Sequence, residues 1–300
     1  MQFFAALLSL AALVAPSVVS AATPGYHALP WDGRAYNLTV DTLTNKYSTP
    51  IFIQRNGGNN GNPADYITMQ YQERPEGFNS DDGALAIGVD DKAIFNDNTG
   101  SRRSDLFQQI EGNADGTTFY RASLMKAEAF LNAFDWQLVF MGSGIFQVGV
   151  DASVNPAMIY YRTNGSTEAK WSTEFVPGTW YNFGFGVEKS ADGANTVVEF
   201  YTSTGLDELA FNVKNDLEGS ILTLDDFHIG LTTTLGGSAT MNAKQDVVSF
   251  NGMSAEATAI GAGAPTPMPS QGGVAVSTDS TSGSSSSVGE ARSFTFNDRK

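Results

Sequence analysis

The chain has 300 residues, of which 41% are hydrophobic and 16% are charged, and its formal net charge at pH 7 is −15. This is enough apolar sequence for one sizeable core, whereas an intrinsically disordered chain would carry fewer aromatic residues. No cluster of Lys and Arg forms the basic surface that nucleic acid or an anionic membrane requires, so we expect neither as a partner. The chain has no cysteine and two histidines, His27 and His228. Disulfide scaffolds, thiolate metal sites, Cys nucleophiles and sites built from several imidazoles are therefore excluded.

The first 21 residues have the pattern of a secretory signal peptide. They contain no charged side chain, and the apolar stretch from Phe3 to Val14 is too short to span a bilayer comfortably. Small residues follow, and Val19-Ser20-Ala21 fits cleavage after Ala21. We therefore predict a secreted protein, extracellular or associated with a cell wall, in which the sequons at Asn37 and Asn164 are candidates for N-glycosylation.

Residues 22–260 are predicted to form one all-β domain. Period-two alternation predicts strands near 134–140, 145–150, 179–187, 196–201 and 227–231. Asp192-Gly193 between two of these runs is a hairpin signal. The only plausible helices are short, for example around Leu206 to Leu209. Many short strands without alternating helices predict a β-sandwich of the jelly-roll type, with a concave face that holds an extended ligand.

The composition changes from about Gly261, where a Pro-containing stretch leads into a tract rich in Gly, Ser and Thr. Such sequence buries too little apolar area to offset the entropy of ordering, so residues 261–300 are predicted to be a disordered tail. The tail ends in charged residues, whereas a lipid-anchor signal ends in a hydrophobic stretch. We expect a soluble monomer that does not bind a membrane.

At three positions in the sequence, titratable side chains are predicted to lie on one face of a strand. In a strand Arg103 and Asp105 point the same way, and an Arg beside a carboxylate favours its ionised form. Asp135 and Gln137 share the polar face of a later strand, and His228 faces away from its apolar neighbours. Each place also has a structural interpretation, as an edge ion pair, an exposed strand position or a structural histidine. Two acids and one imidazole on one face would suit acid–base cleavage of a glycosidic bond.

Other catalytic motifs are missing from the sequence. There is no Gly-x-Ser-x-Gly elbow and no Gly-rich phosphate loop ahead of a helix. Several aromatic side chains are candidates to stack on sugar rings, namely Trp31, Trp171, Tyr160 and Tyr161.

Taken in order, these motifs resemble the catalytic domain of glycoside hydrolase family 131, secreted fungal β-glucanases with a β-jelly-roll fold. The resemblance is carried by Trp31-Asp32-Gly33-Arg34, Asn37-Leu38-Thr39, Lys92-Ala93-Ile94-Phe95, Arg102-Arg103-Ser104-Asp105-Leu106, Asp135-Trp136-Gln137-Leu138-Val139-Phe140, Trp180-Tyr181-Asn182-Phe183 and Asp226-Phe227-His228-Ile229-Gly230. The family's Arg-Arg-Thr-Glu-Leu and His-Glu-Tyr-Gln motifs place glutamates at positions 105 and 135, and both are aspartate here. Each aspartate is one methylene, about 1.5 Å, shorter, which is expected to widen the gap between the two carboxyl groups.

The resemblance implies hydrolysis of β-1,3-, β-1,4- or β-1,6-linked glucans without a cofactor or a metal. It implies that Asp105 and Asp135 are the acid/base pair and that His228 is a third catalytic residue, while Arg103 and Gln137 bind the substrate. Two alternatives stay open. The exchange of both glutamates motivates a non-catalytic glucan-binding cell-wall protein. A polysaccharide lyase is less favoured, because the acidic domain has few basic groups to neutralise a uronate.

Overall fold

The structure is a computed structural model that describes residues 26–219, 224–235 and 240–258. The predicted signal peptide at 1–21 and the predicted tail at 261–300 lie outside the described residues. Within the described ranges, no helix combines the length and the apolar character needed to cross a membrane.

The described part of the chain is built from short strands. In chain order they are β1 (Trp31–Asp32), β2 (Ile67–Gln70), β3 (Ala84–Val89), β4 (Ser101–Glu111), β5 (Thr118–Met125), β6 (Asp135–Met141), β7 (Gln147–Asp151), β8 (Met158–Arg162), β9 (Trp171–Glu174), β10 (Tyr181–Lys189), β11 (Thr196–Thr204), β12 (Ala210–Leu217), β13 (Leu224–Thr234) and β14 (Asp246–Glu256). One α-helical turn, α1 (Pro50–Ile53), and three 3-10 turns, Leu43–Asn45, Pro63–Asp65 and Phe78–Ser80, precede β4.

The strands form two antiparallel sheets. The front sheet has the order β4-β13-β6-β7-β8-β9. The back sheet has the order β12-β11-β10-β5-β14-β3-β2, with β1 paired to β14. The all-β sandwich expected from the sequence is confirmed.

The core lies between the two sheets and is rich in aromatic rings. Tyr161 on β8 stacks on Phe200 of β11 at a centroid distance of 4.1 Å, and Phe146 stacks on Phe185 of β10 at 4.0 Å. All four of these residues are fully buried. Because a strand alternates its side chains, the residues between these core positions on the front sheet point to the outer face.

Most of the predicted elements are confirmed. Strands β6, β7, β10, β11 and β13 overlap the five predicted runs, and β10 and β11 pair as a hairpin. The short helix predicted around Leu206 to Leu209 is wrong. That segment is a turn between β11 and β12, in which Asp207 N–H donates to Thr204 O and Leu209 is buried.

Four aromatic residues are candidates from the sequence to stack on sugar rings, and the structure corrects this for three of them. Trp31, Tyr160 and Tyr161 are all buried, with exposed fractions of 3%, 2% and 0%. Trp171 is half-buried and packs edge-on against Phe183 in the core. These side chains are large enough that their burial outweighs the solvation of a hydroxyl or an indole N–H.

Candidate active site

The pairing of β4 with β13 assembles the first part of the site. Both strands send alternate residues to the outer face of the front sheet. The register places Arg103 opposite Thr232, Asp105 opposite Gly230 and Phe107 opposite His228. The intervening residues Leu106 and Ile229 are buried in the core.

The carboxylate of Asp105 is enclosed by the side chains around it. Arg103 donates from Nε to Oδ1 at 2.5 Å and from an Nη to Oδ2 at 3.0 Å. His228 Nδ1 lies 2.8 Å from Oδ2, and Thr232 Oγ1 donates to Oδ1 at 3.3 Å. Asp105 is 0% exposed. A molecule lying on the sheet therefore cannot touch this carboxylate directly.

Asp105 is held in its ionised form. Burial alone would raise its pKa, but the charge of Arg103 and the hydrogen bond from His228 outweigh burial and hold the pKa well below the ordinary 3.8. An ionised carboxylate only accepts hydrogen bonds, so Nδ1 of His228 is the donor in this contact. The other ring nitrogen, Nε2, is then the atom through which His228 can exchange a proton with a ligand.

Two aromatic rings fix the plane of the imidazole. Phe140 of β6 stacks on the ring of His228 at 4.6 Å with an interplanar angle of 4°. Phe107 belongs to β4, the strand on the other side of β13, and its ring centre lies 5.0 Å from that of His228. Both phenylalanines are half-buried. The ring is thus held by packing and by its bond to Asp105, an arrangement that orients a proton-transferring histidine.

Asp135 lies on the same face but has different partners. Tyr160 donates its hydroxyl to Oδ1 at 2.5 Å, and Arg162 donates to Oδ2 at 2.9 Å. The Arg162 guanidinium also lies 3.7 Å from the centre of the Tyr160 ring. Burial, together with the charge of Asp135, raises the pKa of Tyr160, so its hydroxyl stays protonated and donates. Both partners belong to β8, so the Asp135 side chain leans away from β13.

Gln137 connects to the same group. Its Nε2 donates to Gln147 Oε1 at 3.0 Å, and Gln147 donates in turn to the Tyr160 hydroxyl at 3.0 Å. Gln137 is half-buried and pairs in register with Thr232. It therefore lies between the two acids on the sheet face.

The structure brings three of the predicted residues into contact and leaves two apart. Arg103, Asp105 and His228 touch one another, whereas Asp135 and Gln137 belong to the Tyr160 network. From the register, Asp105 and Asp135 are two strands apart and four residues offset. On a flat sheet this is roughly 16 Å between Cα atoms, for about 4.8 Å per strand and 3.3 Å per residue. The assignment of the two acids as one acid/base pair stays a prediction.

Several residues of the site were not found from the sequence. Thr232, Phe107 and Phe140 look like ordinary strand residues, and only the register shows that they surround Asp105 or His228. Arg162 follows Tyr160 by two residues, and this spacing on a strand was a usable signal that the two share a face.

The predicted glycosylation sites lie on the surface. Asn37 and Asn164 are both exposed, and each has a positive φ, 59° and 53°, at a turn. No cluster of three or more His, Asp or Glu side chains suited to a metal ion occurs among the described residues.

The amino-acid sequence matches the profile of the glycoside hydrolase 131 catalytic N-terminal domain over residues 29–261. The chain belongs to glycoside hydrolase family 131. No curated protein sequence matches it significantly.

Solved structures of the family have the same fold. The GH131 β-glucanase catalytic domain from Podospora anserina gives a TM-score of 0.61 at 20% identity, over 77% of this chain and 96% of that chain. The catalytic domain of the family 131 protein from Coprinopsis cinerea gives 0.59 at 20% identity, over 77% and 94%. At this identity the likeness establishes the sandwich architecture of this family member.

Proposed function

We propose that this glycoside hydrolase cleaves β-linked glucans on the outer face of its front sheet. Membership of the family supports hydrolysis, and the Podospora anserina relative is a β-glucanase. The observation that carries the proposal is the contact between Asp105 and His228, 2.8 Å long, on a face lined by half-buried polar and aromatic side chains.

His228 is the member of this contact that transfers a proton to or from the sugar. Asp105 is enclosed and ionised, so it neither reaches the substrate nor has a proton to give. It holds the imidazole, whose side chain is 7% exposed, by Nδ1 and so leaves Nε2 as the nitrogen that can meet the substrate, as the aspartate does in a Ser-His-Asp triad. Arg103 acts through Asp105 by keeping it charged and in place.

Asp135 and Gln137 bind the same glucan further along the face. Asp135 keeps 46% of its side chain exposed although both oxygens already accept hydrogen bonds. Carboxylate and amide groups of this kind accept hydrogen bonds from sugar hydroxyls with their remaining lone pairs.

The charges of the face favour a neutral polysaccharide over a uronate. Its two arginines, Arg103 and Arg162, are each paired with an aspartate. A lyase needs a cation or a metal ion to neutralise the uronate carboxylate, and these paired guanidinium groups do not offer one. This favours hydrolysis over the lyase reaction.

The direct test measures release of reducing sugar from mixed-linkage and β-1,3/1,6-glucans. The wild-type chain is expected to release sugar, whereas His228→Gln is expected to lose about 10²–10⁴-fold in kcat, the usual contribution of a general acid or base. Asp105→Asn is expected to follow His228→Gln. Binding of insoluble glucan by the wild type without release of sugar would refute hydrolysis and favour the glucan-binding alternative.

Export and N-glycosylation belong to the same proposal. The pattern of the first 21 residues supports export, and the exposed turns at Asn37 and Asn164 are accessible to the transferase. Expression in a eukaryotic secretory host should give two endoglycosidase-sensitive mass shifts, one lost in Asn37→Gln and one in Asn164→Gln. Secretion of an unglycosylated chain would contradict the assignment of these sites.

A further inference from the structure

Hydrolysis of a glycoside needs a second proton-handling group near His228. In an inverting enzyme one group activates water and another protonates the leaving oxygen, with roughly 6.5–9.5 Å between the two carboxyl groups. Asp105 cannot be the second group, since it is 0% exposed. Asp135 leans toward Tyr160 and Arg162 on β8, away from the strand that carries His228.

Strand β13 itself supplies a better placed carboxylate. Asp226 precedes His228 by two residues, so both side chains leave the strand on its outer face. Two residues of an extended strand span about 7 Å between Cα atoms, so the two side chains start from neighbouring points on one face. Both side chains lean toward β4: Asp226 bonds to Gln109, which is directly opposite it, and His228 bonds to Asp105, which is opposite Gly230.

The surroundings of Asp226 leave it accessible. The residue is half-buried, and Gln109 Nε2 donates to its Oδ1 at 3.2 Å. On the other side it is next to Gly142, where a Cβ atom would come within 3.2 Å of the Asp226 Cβ. A glycine there leaves room beside the Cβ of Asp226. The half-buried rings of Phe107 and Phe140 pack against His228 and offer apolar surface to a sugar ring on this face.

The neighbouring acids are less suitable. Asp225 points to the other side of the strand, is buried, and accepts hydrogen bonds from the backbone N–H and the hydroxyl of Ser143. Asp151 and Glu174 lie in the same cross-strand row as Asp135, on the far side of the face from His228.

We infer that Asp226 is the catalytic residue that activates water, in partnership with His228. The inference rests on the proposed function. In this step a water oxygen bonds to the anomeric carbon while Asp226 takes one of its protons. The bond between the anomeric carbon and the glycosidic oxygen breaks, and that oxygen takes the proton from Nε2 of His228. Exchange with solvent then returns a proton to His228 and removes one from Asp226.

Chemical rescue distinguishes this role from a structural one. Asp226→Asn is expected to lower kcat on β-glucan oligosaccharides about 10²–10⁴-fold with KM within threefold. Sodium azide needs no general base, so it should restore turnover at least tenfold and give a glycosyl azide, detected by mass spectrometry. Asp226→Ala, which leaves more space for azide, provides a second variant, and circular dichroism shows that each variant is folded.

Two comparisons complete the experiment. Asp225→Asn is the matched control, and it should keep kcat within threefold of the wild type and give no glycosyl azide. Asp135→Asn should mainly raise KM, also without rescue.

The failure of the inference can be told apart from the failure of the proposed function. If the wild type releases no sugar from any β-glucan, both fail. If the wild type is active and Asp226→Asn keeps kcat within threefold, or loses activity that azide does not restore, Asp226 is not the base and the hydrolase function stands. Rescue of Asp135→Asn instead would give that role to Asp135.

Discussion

Gly230 allows the Asp105 carboxylate to lie over β13, and adding one methyl group there should displace it. A Cβ atom at position 230 would lie 2.2 Å from Ser104 O, 2.4 Å from the Asp105 Cα and 2.6 Å from the Asp105 Cβ. These contacts are about 1 Å or more too short, and two of the three atoms belong to backbone, which cannot turn aside. The φ of Gly230 is +148°, a value that L-residues rarely adopt. The pairing of β13 with β6 is irregular at the same place, between Ile229 and Thr232.

Gly230→Ala is therefore expected to push β4 and β13 apart beside Asp105. Overpacking of this kind costs about 1–3 kcal/mol of unfolding free energy. For a domain of this size that corresponds to a fall in Tm of about 2–4 °C per kcal/mol. A shift of about 1 Å in a reacting group costs on the order of 100-fold in rate, so kcat on β-glucan should fall by about that factor.

The back sheet offers a matched control for this substitution. Gly252 also lies at an irregular pairing, has a φ of +70°, and a Cβ there would come within 2.5 Å of Phe78 O. Gly252→Ala should lower Tm to a similar extent and leave kcat within threefold. Thermal unfolding by circular dichroism and release of reducing sugar measure the two effects. Equal losses of activity in both variants, or an unchanged kcat in Gly230→Ala, would show that Gly230 does not position Asp105.

Three other substitutions test the packing and the charges. Asp105→Asn should cost about 3–5 kcal/mol near neutral pH, because it leaves the buried partners of the carboxylate unpaired. The pKa of Asp105 is below 3.8 in the folded protein. Its stabilising effect is therefore complete above pH 5 and shrinks below 3.8 by about 1.4 kcal/mol per pH unit. Urea unfolding of both proteins at pH 6 and pH 3 measures this, and a constant difference would contradict it. Phe146→Ala should cost about 3–5 kcal/mol by loss of its stack on Phe185, and a loss below 1 kcal/mol in the same assay would count against that packing. Tyr160→Phe should raise KM for glucan about 3–10-fold by freeing Asp135, while Tyr161→Phe, which faces the core, should leave KM unchanged. Equal KM values for the two variants would remove Tyr160 from the site.

The sequence was sufficient for the fold class because many short apolar runs alternate with polar residues and no long helical pattern lies between them. Alternation in 179–187 shows which side chains of β10 enter the core. In 134–140 it fails after Gln137, because an irregularity between Gln137 and Val139 turns Phe140 to the outer face beside His228. Leu206 to Leu209 gave a false helix signal because Leu209 is buried by the turn itself, not by a helical face. Local pattern does not distinguish a buried residue of a turn from one of a short helix.

The contacts of the site depend on the register between neighbouring strands, which the sequence pattern does not predict. Alternation predicted that Arg103 and Asp105 share a face, and the structure shows them bonded. The family resemblance named His228, but its contact with Asp105 follows only from the pairing of β13 with β4, since 123 residues separate the two along the chain. Asp135 was predicted from the same kind of motif. Its strand, β6, is separated from β4 by β13, and the side chains that donate to its carboxylate come from β8.

The short arm of Asp105 decides which group of the site can react. Its carboxylate lies low enough over Gly230 for Arg103, Thr232 and His228 to bond to it from three sides. An acid with one more methylene would carry its carboxylate about 1.5 Å higher, past the level of these donors and toward a ligand on the sheet. In this chain the acid is instead a fixed anion beneath the imidazole. The reactive atom at this place is then a ring nitrogen, and its orientation depends on every contact that holds the aspartate.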